Sequence, residues 1–134
     1  MAKLEAIEGI GDVYAGKLRA AGIPTIEALL EAGSTPEGRQ ELEEKTGIGH
    51  ALILEWVNLA DLFRIRGVGE EYSDLLEEAG VDTVVELAQR NPQNLYAQLV
   101  KVNAEKRLVR RLPSGQQVSD WVAQAKTLPR VVSY

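Results

Sequence analysis

The chain has 134 residues, of which 45% are hydrophobic and 26% are charged, and its net charge is −5. These proportions are typical of a globular domain and exclude a disordered chain. The absence of cysteine excludes a disulfide framework, thiolate metal sites and cysteine nucleophiles. No apolar stretch approaches the roughly 18 residues of a membrane span. The first residues lack the apolar run of a signal peptide, so we expect a soluble cytoplasmic protein.

The charge is unevenly distributed along the chain. Residues 1–62 contain 5 basic and 11 acidic side chains, for a net charge of −6, whereas residues 63–134 contain 10 basic and 9 acidic side chains, for a net charge of +1. Because affinity for nucleic acid depends on neutralising phosphates, an anion-binding surface is expected only in the second half.

The spacing of apolar residues predicts helices along the whole chain. Apolar side chains recur every three or four residues, as in Leu52, Trp56, Leu59 and Phe63. Threonine, asparagine and serine residues that can cap a helix precede several of these segments, and we expect complete capping boxes at Thr83–Glu86 and Ser114–Gln117. The sequence therefore predicts an all-α fold with about eight short helices, at residues 12–21, 25–32, 36–45, 50–63, 70–79, 83–90, 92–104 and 114–127.

The chain contains an internal repeat of about sixty residues. Residues 4–33 align with residues 62–91, and ten of these 30 positions are identical. Later in the chain Trp56 recurs as Trp121, now seven residues further along than the first offset predicts. We therefore predict two repeats, at residues 1–62 and 63–134, closely packed against each other, because a lone half would bury too little surface to be stable.

The aromatic residues of the two repeats are in register: Tyr14 recurs as Tyr72 in the same way as Trp56 recurs as Trp121. We expect these residues to pack in the core, with the tyrosine hydroxyls at its edge. A platform on which nucleic-acid bases stack is the alternative interpretation.

Each repeat opens with an apolar-x-Gly-apolar-Gly motif at the start of a helix, Ile7–Gly11 in the first and Ile65–Gly69 in the second. A third glycine turn, Gly47–Gly49, joins two helices of the first repeat, and Leu112–Gly115 takes the equivalent place in the second. With these motifs the chain resembles the helix-hairpin-helix superfamily. It is similar over nearly its full length to an uncharacterised bacterial family of that superfamily, domain of unknown function 4332. The resemblance implies two tandem copies of a (helix-hairpin-helix)2-like unit with a SAM-like architecture.

In the superfamily the hairpin backbone approaches DNA and holds a phosphate oxygen, in a contact that reads no base. The resemblance transfers this possible role to the backbone of Gly9, Ile10, Gly11, Gly47, Ile48, Gly49, Gly67, Val68 and Gly69. Here, however, acidic residues follow two of the turns: Asp12 follows Gly11, and Glu70 and Glu71 follow Gly69. We expect these carboxylates to occupy the free amides and to repel phosphate. In the alternative interpretation the glycines serve only tight turns and close helix packing.

A basic rim in the second repeat is the remaining indication of nucleic-acid binding. If the two hairpins of that repeat lie side by side, its cations form one surface; they are Arg64, Arg66, Lys106, Arg107, Arg110 and Arg111. The alternative is a solvated helix end, where cations suit the helix dipole.

Catalysis finds little support in the sequence. The single histidine, His50, has no cysteine partner, and no phosphate-loop or dinucleotide fingerprint occurs. We therefore expect a non-enzymatic protein with no cofactor, no metal and no small-molecule substrate, acting in protein–protein interaction or self-association. Weak, sequence-independent DNA or RNA binding through the second repeat is the alternative. The tail after Pro129 is apolar and β-prone, and it docks either on its own domain or on a neighbouring subunit.

Overall fold

A computed structural model describes residues 2–134; residue 1, with which the first predicted repeat begins, lies outside the described residues. Over this range the chain forms a 3-10 helix at Leu4–Ala6 and eight α-helices, with no strand. The predicted all-α class is therefore confirmed. The helices are α1 (Asp12–Ala20), α2 (Ile26–Ala32), α3 (Pro36–Thr46), α4 (His50–Leu62), α5 (Glu70–Glu78), α6 (Val84–Ala88), α7 (Pro92–Lys106) and α8 (Gly115–Thr127).

Side-chain caps fix where most of these helices begin. The hydroxyl of Thr25 accepts the N–H of Ala28 at 3.1 Å, and Thr35 and Asn91 cap α3 and α7 in the same way, each directly before a first-turn proline. At α8 the predicted capping box is complete, because the Ser114 and Gln117 side chains each accept the other residue's backbone N–H.

The capping box predicted at α6 differs from the expected one. The hydroxyl of Thr83 accepts the Glu86 N–H at 3.3 Å, but the Glu86 carboxylate accepts the N–H of Asp82 rather than that of Thr83. The Glu86 carboxylate thus binds the backbone N–H one residue before the one that the sequence predicts.

The chain divides into two compact units. Unit 1 is the described part of Met1–Asp61 together with Val131–Tyr134, and unit 2 is Leu62–Arg130. Each unit carries four of the α-helices in the same order and buries its own apolar side chains, among them Leu18 and Ile53 in unit 1 and Leu75 and Leu99 in unit 2.

The C-terminal tail lies on unit 1, whereas the sequence-based division assigned it to the second repeat. Val132 is 3% exposed, and the Ser133 N–H donates to the carbonyl of Ser34 at 2.8 Å. The tail therefore docks on its own chain in this structure, because unit 1 offers an apolar site and backbone acceptors that the sequence did not reveal.

The aromatic pairs lie in register, as the repeat predicts. The rings of Tyr14 and Trp56 are 5.0 Å apart in unit 1, and those of Tyr72 and Trp121 are 5.3 Å apart in unit 2. Both tryptophans are buried and both tyrosines are half-buried. This confirms their expected place in the cores, since offset or edge-to-face ring pairs of this kind are favoured packing arrangements.

Candidate interaction site at the glycine turns

The turn that precedes α1 is a tight loop anchored by one apolar side chain. The Ile10 N–H donates to the Ile7 carbonyl at 3.1 Å, and between them Gly9 has a φ of +95°, which side-chain-bearing residues rarely adopt. Ile10 is buried, while Gly9 and Gly11 are exposed. The turn thus exposes its backbone to solvent, and the buried side chain of Ile10 anchors it to the interior of unit 1.

Unit 2 repeats this geometry closely. The Val68 N–H donates to the Ile65 carbonyl at 3.1 Å, and Gly67 has a φ of +91°. Val68 is buried, and Gly67 and Gly69 are exposed before α5 begins. The same sequence motif therefore produces the same turn in both units.

A tryptophan lies beneath the positive-φ glycine of each of these two turns, Gly9 and Gly67. A Cβ atom at Gly9 would lie 3.4 Å from the indole Nε1 of Trp56, and one at Gly67 would lie 3.1 Å from that of Trp121. The Trp56 Nε1 is buried and has no hydrogen-bond partner among residues 2–134. Packing and backbone geometry together account for Gly9 and Gly67, in keeping with the purely structural interpretation of these two glycines.

The second glycine of each turn has no such internal reason. Gly11 and Gly69 have negative φ values of −89° and −115°, and a Cβ at either position would meet nothing within 4 Å. A Cβ atom would therefore fit at both positions. What glycine provides is an open approach to the first amides of α1 and α5.

These amides also have no side-chain cap. Gly11 and Gly69 are the N-cap residues, and glycine has no side chain with which to accept. Over the described residues neither N-cap position has a side-chain cap hydrogen bond, and the expected bonds from these amides to the carboxylates of Asp12, Glu70 and Glu71 are not seen. The capping oxygen normally belongs to the N-cap residue itself, and a carboxylate one residue later is not in that position. Open donors with exposed carboxylates beside them thus mark both turns.

The third glycine turn satisfies its own hydrogen bonds. Gly47, with a φ of +72°, ends α3 and donates its N–H to the Glu43 carbonyl at 2.9 Å, and the Thr46 hydroxyl accepts the Ile48 N–H at 3.1 Å. Ile48 is buried, and Gly49 accepts from Ile53 within α4. This turn joins two helices, and the N–H groups of Gly47 and Ile48 are already occupied within it.

The corresponding join in unit 2 is a longer loop pinned by a side chain. Arg107 ends α7 in a left-handed conformation with a φ of +51°. The side-chain amide of Asn103 then accepts the Val109 N–H at 3.0 Å and donates to the Val109 carbonyl at 3.2 Å. At the end of the loop, the box of Ser114 and Gln117 already occupies amides at the start of α8.

The cations predicted to form the basic rim differ in their exposure and partners. Arg66, Arg107, Arg110 and Arg111 are exposed, and the Tyr72 hydroxyl donates to the Arg111 carbonyl at 2.9 Å, which brings that loop against α5 just after the first turn. Lys106 instead pairs with Glu78, whose hydrogen bond raises the pKa of the lysine.

Arg64 and Arg66 differ in their surroundings. Arg64 is half-buried and engaged in an interaction within the chain, so it is not an open cation. Arg66 keeps an exposed side chain, while the Gln124 side chain holds its backbone N–H at 2.9 Å and its carbonyl at 3.2 Å. Four of the six predicted cations are therefore exposed without a recorded ion pair in the described part of the chain.

Sequence reasoning missed Arg39 as a binding residue. Its guanidinium is buried, donating to the carbonyls of Gly33 at 2.9 Å and of Ser133 at 2.8 Å, and it lies 5.7 Å from the ring centre of Tyr134. The available signal was its spacing, because Arg39 precedes the buried Leu42 by three residues and shares its helix face.

Two further cavities lie on the surface. A cavity of about 280 Å³ is lined by the first turns of α7 and α8 and by Tyr96, and another of about 440 Å³ by Arg66, Asp120 and Gln124. Within residues 2–134 no three His, Cys, Asp or Glu side chains come together in a way that could hold a metal ion. None of the helices over this range combines the length and apolar character needed to cross a bilayer.

A comparison with known protein families shows the family to which the chain belongs. Residues 8–128 match the family described as Domain of unknown function (DUF4332), and because this covers most of the sequence, the chain belongs to that family. No solved structure matches it.

Proposed function

We propose that this member of the DUF4332 family is a non-enzymatic module of two tandem helix-hairpin-helix units that acts in the cytoplasm in protein–protein interaction or assembly. The observation that carries the proposal is the pair of open turns at Gly11 and Gly69, where uncapped amides lie beside exposed carboxylates. The recurrence of the same turn geometry before α1 and α5 supports the helix-hairpin-helix assignment.

The chemistry of these turns suits a polypeptide partner. Uncapped N–H groups at a helix start need acceptors, and the carboxylates of Asp12, Glu70 and Glu71 attract cations. A partner segment that offers backbone carbonyls together with lysine or arginine side chains satisfies both needs. In unit 1 the exposed Val13, one residue after Asp12, adds an apolar contact.

The proposal is tested by occupying the free amides of the Gly11 turn with a substitution that leaves the fold intact. Gly11→Asn supplies a capping side chain at a position where an added Cβ atom meets nothing within 4 Å, so we expect the free energy of unfolding to stay the same or rise by a few tenths of a kcal/mol. Because the new side chain occupies the open amides, we expect self-association or partner binding to weaken at least tenfold. Self-association is measured by sedimentation, and partners are identified by a photo-crosslinking residue at position 13.

A matched pair of charge reversals isolates the carboxylate. Asp12→Lys and Glu41→Lys change the net charge equally at exposed positions of unit 1, and only the first lies at the turn. We expect Asp12→Lys alone to abolish binding. A wild-type chain that stays monomeric at micromolar concentrations and captures no partner through position 13 would contradict the proposal.

A second candidate function, sequence-independent binding of a DNA or RNA phosphate backbone by unit 2, is favoured by one specific contact. The hydrogen bond from Tyr72 to the Arg111 carbonyl holds the loop of exposed arginines against the helix that follows the Gly69 turn. Glu70 and Glu71, which lie at the same turn, oppose a phosphate.

The two candidates predict opposite effects of one substitution. Glu70→Ala weakens binding of a basic protein segment, because an attractive charge is lost, and strengthens binding of nucleic acid, because a repulsive charge is lost. Fluorescence anisotropy with duplex and single-stranded DNA at low salt measures the second effect. Affinity is expected to fall steeply with salt and to be lost in the Arg110→Glu/Arg111→Glu variant, with Arg130→Glu as a control.

A further inference from the structure

The docked C-terminal tail reveals a second binding feature of unit 1, built from residues other than those of the glycine turns. It is a groove formed by Gly33 and Ser34 at the end of α2, Arg39 of α3 and Asn58 of α4. Gly33 fits there because it has no side chain: a Cβ atom at this position would lie 2.4 Å from Val57.

The contacts of the tail are those by which proteins hold extended peptides. The Ser133 N–H donates to the Ser34 carbonyl at 2.8 Å, and the Ser133 carbonyl accepts from Arg39 at 2.8 Å. Val132 is buried, and the Tyr134 hydroxyl donates to Asn58 Oδ1 at 2.9 Å. Backbone hydrogen bonds supply affinity in this mode, and alternate side chains supply specificity.

Arg39 explains why this groove needs an occupant. A buried guanidinium requires acceptors for its five N–H donors, and here two of the bonded acceptors are the carbonyls of Gly33 and Ser133. The Nε of Arg39 is buried without a partner among the described residues. Removing the tail would take away one more acceptor, so a peptide carbonyl is what this site selects.

We propose that this groove is a peptide-binding site whose ligand is the segment Val131–Tyr134, and that a second copy of this chain can supply that segment in place of the chain's own. Every contact of the tail described above comes from Val132, Ser133 and Tyr134, and each copy of the chain carries the same segment. An exchanged segment therefore makes the same contacts, and a higher protein concentration shifts the balance from the tethered segment towards exchange.

Competition by the chain's own segment sets the conditions for detecting exchange. A tethered segment has an effective concentration of the order of millimolar, so the groove of the wild-type chain is mostly occupied. A chain whose own segment cannot bind should accept a foreign one at least tenfold more tightly than the wild-type chain does.

The experiment separates the groove from the segment with two full-length variants. Val132→Asp keeps the groove but places a charge on the buried residue of the segment. Arg39→Leu keeps the segment but removes the groove's donor. The Val132→Asp chain is labelled with ¹⁵N and titrated with unlabelled Arg39→Leu chain, and circular dichroism first checks that both are helical.

We expect saturable shifts of the amide signals of Gly33, Ser34 and Asn58. The control is an unlabelled chain that carries both substitutions, which offers no competent segment and should cause no shift. Should Arg39→Leu fail to fold, a synthetic peptide of residues 129–134 replaces it, with its Val132→Asp form as the control.

Absence of shifts up to millimolar segment, or equal shifts with the control, would overturn the proposal. Because the Gly11→Asn and Asp12→Lys substitutions leave the groove unchanged, failure here and failure of the assembly function at the glycine turns are distinguishable.

Discussion

The third helix begins with a proline in both units, and its fourth residue points inward in both, yet that residue is Arg39 in unit 1 and Leu95 in unit 2. Arg39 is 3% exposed and Leu95 is 0% exposed. The leucine is satisfied by apolar neighbours within unit 2. The arginine donates to two carbonyl oxygens, one of which belongs to the distant C-terminal tail. One buried charge thus makes the otherwise similar unit 1 depend on a segment from the far end of the chain.

The join between the third and fourth helices differs in a second way. Unit 1 turns with Gly47 in the left-handed conformation, whereas unit 2 places Arg107 in it and then needs the Asn103 side chain to hold the following loop. A short glycine turn thus connects the third and fourth helices of unit 1, and a longer loop held by Asn103 connects those of unit 2. Only the longer loop carries exposed arginines. The two units therefore differ at the buried position that holds Arg39 in one and Leu95 in the other, and in the exposed join between their third and fourth helices.

Replacement of the buried tryptophans is expected to have the largest effect on the stability of the two units. We expect Trp56→Ala and Trp121→Ala each to lower the free energy of unfolding by about 3–5 kcal/mol, because each indole fills a core and supports a glycine turn. Denaturant titration followed by circular dichroism measures the loss. Hydrogen exchange should place the first substitution's effect in unit 1 and the second's in unit 2; equal loss in both would contradict the division.

A smaller effect is expected where α2 and α3 approach each other. A Cβ atom at Gly38 would lie 2.1 Å from the Ala32 carbonyl oxygen, while the matching position of unit 2 holds Asn94. We therefore expect Gly38→Ala to destabilise the protein by about 1–3 kcal/mol. Gly115→Ala is the control, since an added Cβ there meets nothing. Similar thermal midpoints for the two variants would show that α2 and α3 tolerate separation.

Exchanging the residues that end the third helix should shift stability in opposite directions. Arg107→Gly removes a left-handed arginine, and we expect a gain of about 0.5–1 kcal/mol. Gly47→Arg places an arginine in the same left-handed conformation in unit 1 and should lower the free energy of unfolding by a similar amount. Chemical denaturation of the two variants measures both changes, and a loss of stability in Arg107→Gly would indicate that its side chain has a structural role.

The smallest expected effects concern pH. Backbone hydrogen bonds, that of Glu27 itself first and that of Ala2 after it, lower the pKa of the Glu27 carboxyl, so its contribution to stability is lost as pH falls through that lowered value. The hydrogen bond with Glu78 raises the pKa of Lys106, so that contribution is lost as pH rises through the raised value. Glu27→Gln should flatten the acid limb of a stability–pH curve, and Lys106→Met the alkaline limb.

Much of this architecture is predictable because it follows from local rules. The repeated Gly-x-Gly spacing predicts the turns before α1 and α5, and the recurrence of Trp56 as Trp121 predicts two matched cores. Cap residues such as Thr25 and Ser114 mark helix starts within a residue or so. These signals are readable because each depends on neighbours close in sequence.

The parts that were not predicted depend on distant contacts. Arginine is usually a surface residue, so Arg39 gave no hint that its guanidinium binds the carbonyl of a residue 94 positions away. Likewise, the acidity after Gly11 indicated repulsion of phosphate, but not that the amides stay uncapped. The sequence also did not predict the pairing of Lys106 with Glu78, because Glu78 lies on another helix.

The tryptophans beneath Gly9 and Gly67 also give each unit its own fluorescent reporter. The chain has two tryptophans, one in each unit, and each lies about 5 Å from a tyrosine that can transfer excitation to it. Trp56→Phe and Trp121→Phe therefore leave proteins with a single indole, whose emission wavelength follows the hydration of one core. Binding at the Gly11 turn would be read from Trp56 and binding at the Gly69 turn from Trp121, without attaching a dye.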